Sequence, residues 1–558
     1  MSHPWYTSYP QGIPEDADVS AYSSLVEMFE ISCASYKNHP CLQNYGKTIS
    51  YQQLDDYSQR LASFLQNQLH MKKGDRVAIM MPNLLQNPIS IFATLRAGLT
   101  VVNINPLYTG AELKHQLCDS GATTIIILEN FAHTLQSVIE QTPIKQVILS
   151  RMGDMLSFPE SAVMNLVVKH VKKMVPPFQL PSSFSFKHCL NKGDRNKYLK
   201  PALNRDDFAF LQYTGGTTGV AKGAILTHGN MVANVQQASE WIGPFIEKGK
   251  EHIITALPLY HIFSLLANCL FIMKIGGLNH LITNPRDMKG FVKELKNSKF
   301  TAITGVNTLF NGLLNTPGFS DVDFSKYKLT LGGGMAVQRS VAERWQKVTG
   351  QTLVEAYGLT ETSPAICINP MNLSGYNGKI GLPIPSTHVC IKDDDNQILP
   401  PGENGEICAK GPQVTQGYYN MAEETALVFD KDGWFHSGDI GFMDEQGYFQ
   451  IVDRKKDMII VSGFNVYPNE VEQVIASHAD VLEVGVIGMP DEKCGESVMA
   501  VIVSKNPPLT AEDIRTHCEQ SLTRYKIPKR VEFVKEVPKT NVGKILRREL
   551  RNMFSGPE

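Results

Sequence analysis

The chain has 558 residues, of which 42% are hydrophobic and 19% are charged, and its formal net charge is −2. This length predicts at least two domains, because a single hydrophobic core stops growing at about 250–300 residues. The composition argues against a disordered chain, and the near-neutral charge gives no electrostatic case for nucleic-acid binding.

Strands and helices alternate over the first 150 residues. Four apolar runs bounded by turn signals are predicted strands: 76–81, 101–104, 122–128 and 146–149. Strand–helix–strand alternation at this spacing is typical of a parallel sheet covered by helices. We therefore expect an α/β fold for this part of the chain.

The chain shows no feature of a secreted or membrane-spanning protein. The first 19 residues are polar and contain prolines, which is not typical of a signal peptide. The longest apolar run, 262–273, is too short to span a bilayer. The ten cysteines are dispersed, without the CxxC spacing of zinc sites. We expect a cytoplasmic protein with reduced thiols, and any membrane contact would be peripheral.

A basic amphipathic segment spans residues 161–175. Apolar residues recur there at helical spacing with lysines between them: Val163, Leu166, Val167, Val171 and Met174, with Lys169, Lys172 and Lys173. Such helices lie on anionic membranes in some proteins, but most amphipathic helices simply cover a hydrophobic core. We expect a surface helix packed on its domain, with membrane binding as the alternative.

A loop rich in glycine and threonine follows the predicted strand at 208–211. It reads Tyr213-Thr214-Gly215-Gly216-Thr217-Thr218-Gly219-Val220-Ala221-Lys222-Gly223. Glycines allow a tight turn and a close approach to a ligand, and hydroxyl and amide donors beside a lysine suit phosphate oxygens. The loop is not a Walker A motif, because Ala221 precedes the lysine and Gly223 follows it. The alternative is an ordinary surface loop.

The rest of the chain changes character twice. Predicted strands at 253–258, 302–306, 329–334 and 352–357 end in small residues or polar turns, which is where open α/β sheets bind ligands. Short strands and Gly/Pro turns begin near residue 380. A charged run at 453–457 precedes about one hundred residues of mixed strands and helices, which predicts a small second domain. We place the domains at 1–453 and 454–558.

Five motifs together resemble one superfamily. They are the loop 213–223, Tyr357-Gly358-Leu359-Thr360-Glu361, Gly433-Trp434-Phe435-His436-Ser437-Gly438-Asp439, Asp453-Arg454 and Lys544. In this order and spacing they resemble the acyl-adenylate-forming (AMP-binding) enzymes, and most closely the bacterial long-chain fatty acid–CoA ligases. The resemblance covers nearly the whole chain. Gly215 and Ala221 depart from it, since the superfamily often has serine and proline at these positions.

The resemblance implies a large N-terminal domain of helix-covered β-sheets and a small, mobile α+β C-terminal domain. It also implies that ATP, Mg²⁺ and coenzyme A bind, with Thr214 and Glu361 holding the metal. The phosphate-binding residues would be Tyr213, Thr214, Gly215, Gly216, Thr217, Thr218, Gly219 and Lys222. The rest of the nucleotide site would comprise Gly333, Gly334, Tyr357, Gly358, Thr360, Asp439 for the ribose, and Arg454.

Three further residues have roles implied by the resemblance. Lys544 would be the mobile catalytic lysine that reaches the α-phosphate and the substrate carboxylate. Gly463 would belong to a loop that replaces Lys544 when the small domain rotates near Asp453. His261 would lie near the acyl group. Taken alone, these residues read as a solvated lysine, a plain turn and a core histidine.

The expected reaction joins a long-chain fatty acid to coenzyme A and releases AMP and pyrophosphate. No general base is needed for adenylation, because a carboxylic acid with a pKa near ~4–5 is already ionised at neutral pH. Transfer of the acyl group to a carrier protein or another acceptor, a luciferase-like oxygenase, and a regulator with an inactive site are the alternatives. A homodimer and a peripheral contact with the inner face of the cell membrane also stay open.

Overall fold

The computed structural model describes residues 3–214, 221–491, 493–506, 509–540 and 543–554. Its strands are β1 (Pro40–Asn44), β2 (Lys47–Ser50), β3 (Arg76–Met80), β4 (Thr100–Asn103), β5 (Thr124–Leu128), β6 (Gln146–Ser150), β7 (Ser183–Ser185), β8 (Phe208–Thr214), β9 (Lys222–Thr227), β10 (His252–Thr255), β11 (Leu278–Leu281), β12 (Ala302–Gly305), β13 (Leu329–Gly332), β14 (Leu353–Gly358), β15 (Ala365–Ile368), β16 (Leu382–Pro383), β17 (His388–Lys392), β18 (Gly405–Lys410), β19 (Phe435–Met443), β20 (Phe449–Arg454), β21 (Ile459–Val461), β22 (Phe464–Val466), β23 (Val481–Asp491), β24 (Gly495–Ser504) and β25 (Arg530–Phe533).

The α-helices cover the faces of the sheets. They are α1 (Leu25–Ser35), α2 (Tyr51–Asn67), α3 (Gln86–Arg96), α4 (Gly110–Ser120), α5 (Ala132–Gln136), α6 (Glu160–Leu166), α7 (Phe186–Lys192), α8 (His228–Ile242), α9 (Ile262–Ser264), α10 (Phe271–Lys274), α11 (Met288–Lys296), α12 (Asn307–Leu314), α13 (Arg339–Thr349), α14 (Ala422–Ala426), α15 (Pro468–Ala476), α16 (Ala511–Glu519) and α17 (Arg547–Phe554).

The first sheet confirms the predicted strand–helix alternation. Its strand order is β7-β6-β5-β3-β4-β8-β9, and its neighbours are parallel except for the β8–β9 pair. Strands β3, β5 and β4 are buried along almost their whole length, as expected when helices cover both faces of a parallel sheet. The antiparallel hairpin β8–β9 brings the two ends of the 213–223 loop together at the sheet edge.

The second sheet has nine strands in the order β16-β15-β14-β13-β12-β10-β11-β1-β2. Its centre, from β14 to β11, is parallel, so the carboxyl ends of these strands share one edge. Helix α8 begins at a capping box in which Thr227 and Asn230 exchange hydrogen bonds. Because β12, β13 and β14 are parallel neighbours, their carboxyl ends lie together at one edge of the sheet. This edge is where ligands bind in open α/β sheets.

An antiparallel sheet and a mixed sheet follow in the second half of the chain, the mixed one because β24 and β25 pair in parallel. Strands β17–β20 form a four-stranded sheet, and β21–β25 form a separate five-stranded sheet. The latter packs α15 and α16 around a hydrophobic cluster of its own, which includes Val484, Ile502 and Ile514. The predicted small α+β unit after the charged run thus has its own core.

The amphipathic segment packs on its domain as a surface helix, but not through its apolar stripe. It folds as α6 followed by a π-helical turn at Val167–Val171. Val168 is buried, but Val163 and Leu166 are each 57% exposed and Val171 is 67% exposed. The predicted surface helix does pack on its domain, but the contact with the core is made by Val168 and not by the exposed residues of the apolar stripe.

The apolar run 262–273 is a buried helical segment inside the large domain. It comprises α9, a π-helical turn at Leu265–Leu270 and α10. Within the described ranges, no helix combines the length and the apolar character that crossing a bilayer requires.

Candidate active site

One large cavity lies at the shared strand edge, between the parallel sheets and the C-terminal unit. Its volume is about 1710 Å³. It is lined by thirteen of the residues predicted from sequence: Tyr213, Thr214, Lys222, His261, Gly333, Gly334, Tyr357, Gly358, Thr360, Glu361, Asp439, Arg454 and Lys544. Residues that lie up to about 330 positions apart in the chain therefore surround a single space.

Six predicted residues are not placed in this cavity. Gly215, Gly216, Thr217, Thr218 and Gly219 lie outside the described residues. Gly463 is described and forms the turn between β21 and β22, with φ +85°. It does not line the cavity, and a Cβ added there would meet no described atom within 4 Å. The structure therefore holds Lys544, and not the Gly463 turn, at the site.

The stem of the phosphate loop is a two-stranded hairpin. Thr214 ends β8 and pairs with Lys222, which begins β9. The Lys222 ammonium forms an ion pair with Glu424 on α14, and it lies 5.2 Å from the centre of the Tyr418 ring. The lysine is thus held at the mouth of the loop by residues that no motif contained.

Glu361 is a buried carboxylate at the carboxyl edge of β14. It is 8% exposed, and its Oε1 accepts a hydrogen bond of 2.7 Å from the Tyr418 hydroxyl. No group of three His, Cys, Asp or Glu side chains suited to a metal occurs among the described residues. One carboxylate and the Thr214 hydroxyl fit Mg²⁺, which proteins commonly bind through one or two carboxylates together with substrate phosphates.

Asp439 is held from two sides on β19. The Tyr357 hydroxyl donates to its Oδ2 at 2.7 Å, and the Arg454 Nε lies 2.9 Å from its Oδ1. Burial, followed by the Asp439 charge, raises the pKa of Tyr357 well above its usual range, so this hydroxyl stays a donor. The pair Asp439↔Arg454 spans neighbouring strands, which fixes the carboxylate toward the cavity.

Two glycines are required by close backbone approach. A Cβ on Gly358 would lie 1.8 Å from the Pro364 carbonyl oxygen, and one on Gly333 would lie 2.9 Å from the Ala356 carbonyl oxygen. Real Cβ atoms do not approach backbone this closely, so larger residues would displace the turn that carries Glu361 or the wall behind Tyr357. Both positions therefore need a glycine because a side chain has no room there, and not because the backbone must be flexible.

Lys544 enters the cavity from the loop before α17. Burial, followed by the nearby Arg454, lowers the pKa of Lys544 to about 8. Burial, followed by the Lys544 charge, lowers the pKa of His261 to about 4, so this imidazole is neutral at physiological pH. His261 caps α9, where its Nδ1 accepts a hydrogen bond of 3.4 Å from the Phe263 N–H. The cavity therefore places one titratable cation beside a neutral imidazole.

An apolar branch leaves the cavity beneath α8 and the 262–273 segment. Its floor consists of successive rows of the nine-stranded sheet, in which Ala302 pairs with both Ile253 and Leu329 and Thr304 pairs with Leu331. Gly333 lies four positions after Leu329, so this stretch of the sheet runs for about 13 Å at ~3.3 Å per residue. Ala238, Ile242 and Leu266 line the same branch. A largely apolar space of this length suits a hydrocarbon chain.

The residue predicted as the hinge is anchored by the C-terminal unit. Asp453 is fully buried, and its two oxygens accept from Arg547 Nη1 at 3.0 Å and from the Asn469 N–H at 2.7 Å. Arg547 also contacts Glu472 at 3.0 Å. Since Arg547 follows Lys544 by three residues, one charged network joins Asp453 to the base of the loop that carries Lys544.

Sequence reasoning missed several residues of this site. Tyr418, Glu424 and Arg547 belong to no motif that we used, and each acts through a partner distant in the chain. Glu355 was also missed; its carboxyl accepts from the Val337 N–H at 3.0 Å, and burial raises its pKa to about 8. Its place two residues before Tyr357, on the same face of β14, is the one signal that pointed to the cavity.

Comparisons with known proteins agree with this geometry. Residues 29–419 match the family described as AMP-binding enzyme, and residues 470–544 match the AMP-binding enzyme C-terminal domain. The chain is 54% identical to a long-chain-fatty-acid–CoA ligase of Escherichia coli O6:H1 over 556 residues, which cover 100% of this chain and 99% of the relative.

Solved structures share the fold. An anthranilate CoA ligase in complex with anthranoyl-AMP superposes with a TM-score of 0.84 at 23% identity, covering 95% of this chain and 97% of the other. ATP-bound MatB from Rhodopseudomonas palustris superposes with a TM-score of 0.78 at 26% identity, covering 95% and 99%. These similarities confirm the expected fold, with a large N-terminal and a small C-terminal domain.

Proposed function

The chain belongs to the AMP-binding enzyme family, and from this premise we propose that it is an ATP-dependent long-chain fatty acid–CoA ligase. It converts a fatty acid, ATP and coenzyme A into acyl-CoA, AMP and pyrophosphate through an acyl-adenylate. The observation that carries this function is the joining of the nucleotide-binding residues to an apolar branch within one cavity. The reacting carboxylate would lie where the two meet, beside Lys544 and His261.

In the first step, a carboxylate oxygen attacks the α-phosphate of ATP and pyrophosphate leaves. Both reactants are anions, so the barrier falls when fixed cations and donors face the developing charge. Lys544 supplies the cation at the α-phosphate, and Lys222 supplies one at the phosphate loop. Thr214 and Glu361 would hold Mg²⁺, which would neutralise phosphate charge. Asp439 receives the ribose hydroxyls in a position fixed by Tyr357 and Arg454.

In the second step, the thiol of coenzyme A attacks the acyl carbonyl and AMP leaves. Our proposal is that the small domain rotates about Asp453, which withdraws Lys544 and brings the Gly463 turn to the cavity. The domain boundary at 453/454 is part of the same proposal. It is supported by the separate sheet and hydrophobic cluster of the later residues, and the left-handed backbone of Ser462 and Gly463 makes a tight turn.

The function is tested by product formation across fatty acids of increasing length. We expect pyrophosphate release with long-chain acids, ATP and Mg²⁺, and acyl-CoA with AMP only when coenzyme A is present. Pyrophosphate release without acyl-CoA would indicate a carrier protein or another acceptor. No release with any acid would indicate a regulator with an inactive site.

We expect the rate of adenylation to fall at alkaline pH. Lys544 must be protonated to stabilise the α-phosphate, and its lowered pKa of about 8 in the ligand-free protein means that it loses this proton as the pH rises through 8. The value of kcat/KM for ATP, which reports the free enzyme, should show this alkaline limb. Because the triphosphate favours the charged lysine, the limb in kcat should lie at higher pH. A profile that is flat up to about pH 10 would contradict the assignment.

We also propose a cytoplasmic location with peripheral contact to an anionic membrane. The support is the surface formed by Phe158, Val163, Leu166 and Val171, which are 57–87% exposed. Lys169, Lys172 and Lys173 are exposed on the same segment. Exposed apolar side chains among lysines suit the interface of an anionic bilayer, because apolar burial and charge attraction both strengthen binding there.

A homodimer stays a prediction, which light scattering of the purified protein tests.

Sedimentation with phosphatidylglycerol-containing vesicles tests the membrane contact. We expect the combined variant Leu166→Ser and Val171→Ser to lower the bound fraction severalfold, and Lys169→Gln with Lys172→Gln to lower it most at low salt. The matched control is Lys248→Gln with Lys431→Gln, which removes two exposed lysines elsewhere. Equal binding by all variants, or equal binding to neutral vesicles, would contradict this surface. Turnover of detergent-dispersed fatty acid should be the same in all variants.

A further inference from the structure

Helix α12 belongs to the large domain and contacts the loop of Lys544. It begins directly after Val306, at the carboxyl end of β12. The Thr308 hydroxyl donates a hydrogen bond of 3.1 Å to the carbonyl oxygen of Gly543. One helical turn later, the Asn311 amide donates a hydrogen bond of 3.0 Å to the carbonyl oxygen of Leu482. Both acceptors are backbone groups of the small domain.

The backbone of Gly543 lies so close to Thr308 that a side chain at position 543 would not fit. Gly543 has φ +84°, and a Cβ at this position would lie 2.3 Å from Thr308 Oγ1 and 3.3 Å from Val306 Cγ2. A residue with a side chain would be strained there and would also push the loop away from α12. The glycine before Lys544 therefore serves the approach to Thr308, which no phosphate-binding role would require.

The Asn311 amide is oriented by its own helix. Asn311 is 8% exposed, and its Oδ1 accepts from the Asn315 amide at 2.9 Å, which leaves Nδ2 to face the Leu482 carbonyl. The start of α12 is fixed as well, since Asn307 Oδ1 accepts from the Gln338 N–H at 3.0 Å. The two donors are thus held in place by the large domain before the small domain arrives.

We propose that Thr308 and Asn311 are positioning residues for adenylation: they receive the small domain and hold the Lys544 loop at the reaction centre. This inference rests on the proposed function and on the role of Lys544 within it. Thr308 acts one residue from Lys544, so its hydrogen bond fixes the backbone from which the ammonium extends. Because both partners lie on the small domain, rotation of that domain about Asp453 breaks both contacts. They therefore favour the first step of the reaction over the second.

The test compares the two half-reactions in single variants. Thr308→Val removes the hydroxyl at constant shape, and Asn311→Asp replaces the donor by a carboxylate that repels the Leu482 carbonyl. We expect fatty-acid-dependent exchange of pyrophosphate into ATP to slow about fivefold in the first variant and more than about tenfold in the second, as loss of a part-buried hydrogen bond and of its donor predicts. Thioesterification of supplied acyl-adenylate should stay equal to that of the parent protein or become faster.

Thr316→Val is the matched control. Thr316 lies just after the end of α12, and its hydroxyl donates back to the Gly312 carbonyl at 2.7 Å, within the large domain, so both half-reactions should be unchanged. Equal losses in both half-reactions for Thr308→Val and Asn311→Asp would mean a merely structural role, and no loss in either would also overturn the proposal. Lys544→Ala, assayed in parallel, tests the role of Lys544 on which this proposal rests. If this variant leaves pyrophosphate exchange intact, that role is contradicted whatever the α12 variants show.

Discussion

Lys544→Ala should slow adenylation by about 10²–10³-fold while leaving thioesterification of supplied acyl-adenylate within about twofold of the parent protein. Under the proposed function, Lys544 lines the cavity as the cation that would face the α-phosphate, and removal of one preorganised group that stabilises a transition-state charge has an effect of this size. The second step does not use it, because the acyl-adenylate already carries the activated carboxyl group. Pyrophosphate–ATP exchange measures the first step, and acyl-CoA formation from synthetic acyl-adenylate measures the second.

The appropriate control is Lys526→Ala on the same domain. Lys526 forms an ion pair with Glu470 at 2.8 Å and does not line the cavity, so its loss should alter neither step by more than about twofold, as is usual for partly exposed ion pairs. Equal losses of both steps in Lys544→Ala would remove the specific role of this lysine. A shared loss with Lys526→Ala would indicate damage to the small domain as a whole.

Sequence reasoning found the cavity residues whose type is restricted by the chemistry of binding phosphate and ribose. Glu361, Asp439, Arg454 and Lys544 are charged groups in short motifs, and their order along the chain made the resemblance specific. Gly358 was found through its motif, and the structure adds a local reason for it, because the Pro364 carbonyl occupies the space of a side chain.

The residues that escaped prediction act through partners far away in the chain. Tyr418 meets Glu361 across 57 positions, and Arg547 meets Asp453 across 94. Such pairs depend on how two sheets and a separate unit are placed relative to one another, which no local periodicity encodes. The same holds for Thr308 and Asn311, whose helix reads as an ordinary amphipathic element until the small domain lies against it.

The amphipathic segment at 161–175 shows what hydrophobic periodicity can and cannot predict. Its spacing predicted the helix, but hydrophobic periodicity does not say what covers the apolar face. Here Val168 makes the contact with the domain, whereas Val163, Leu166 and Val171 stay exposed. The pattern was therefore sound as a prediction of a surface helix, but it did not indicate which side of the helix contacts the domain.

Ala302→Phe should convert the protein into one that prefers shorter fatty acids. Ala302 lies in the distal row of the apolar branch, between Ile253 and Leu329, so a phenyl ring there fills the far end of the floor. A long chain then loses burial of about four methylene groups, or about 3 kcal/mol, which corresponds to a fall of about 10²-fold in kcat/KM. Acids short enough to end before this row should keep the parent value. The measurement is kcat/KM for acyl-CoA formation across a series of saturated acids.

Ala302→Val gives the graded comparison, because it fills only part of the same space. We expect its optimum to lie between those of Ala302→Phe and the parent protein, with thermal unfolding showing that all three are folded. The steric argument requires the loss to depend on chain length: if Ala302→Phe lowers kcat/KM equally for every acid, the change has damaged the sheet rather than shortened the branch. If long chains are unaffected, the acyl group does not occupy this branch, and the apolar floor beneath α8 belongs to the core of the large domain alone.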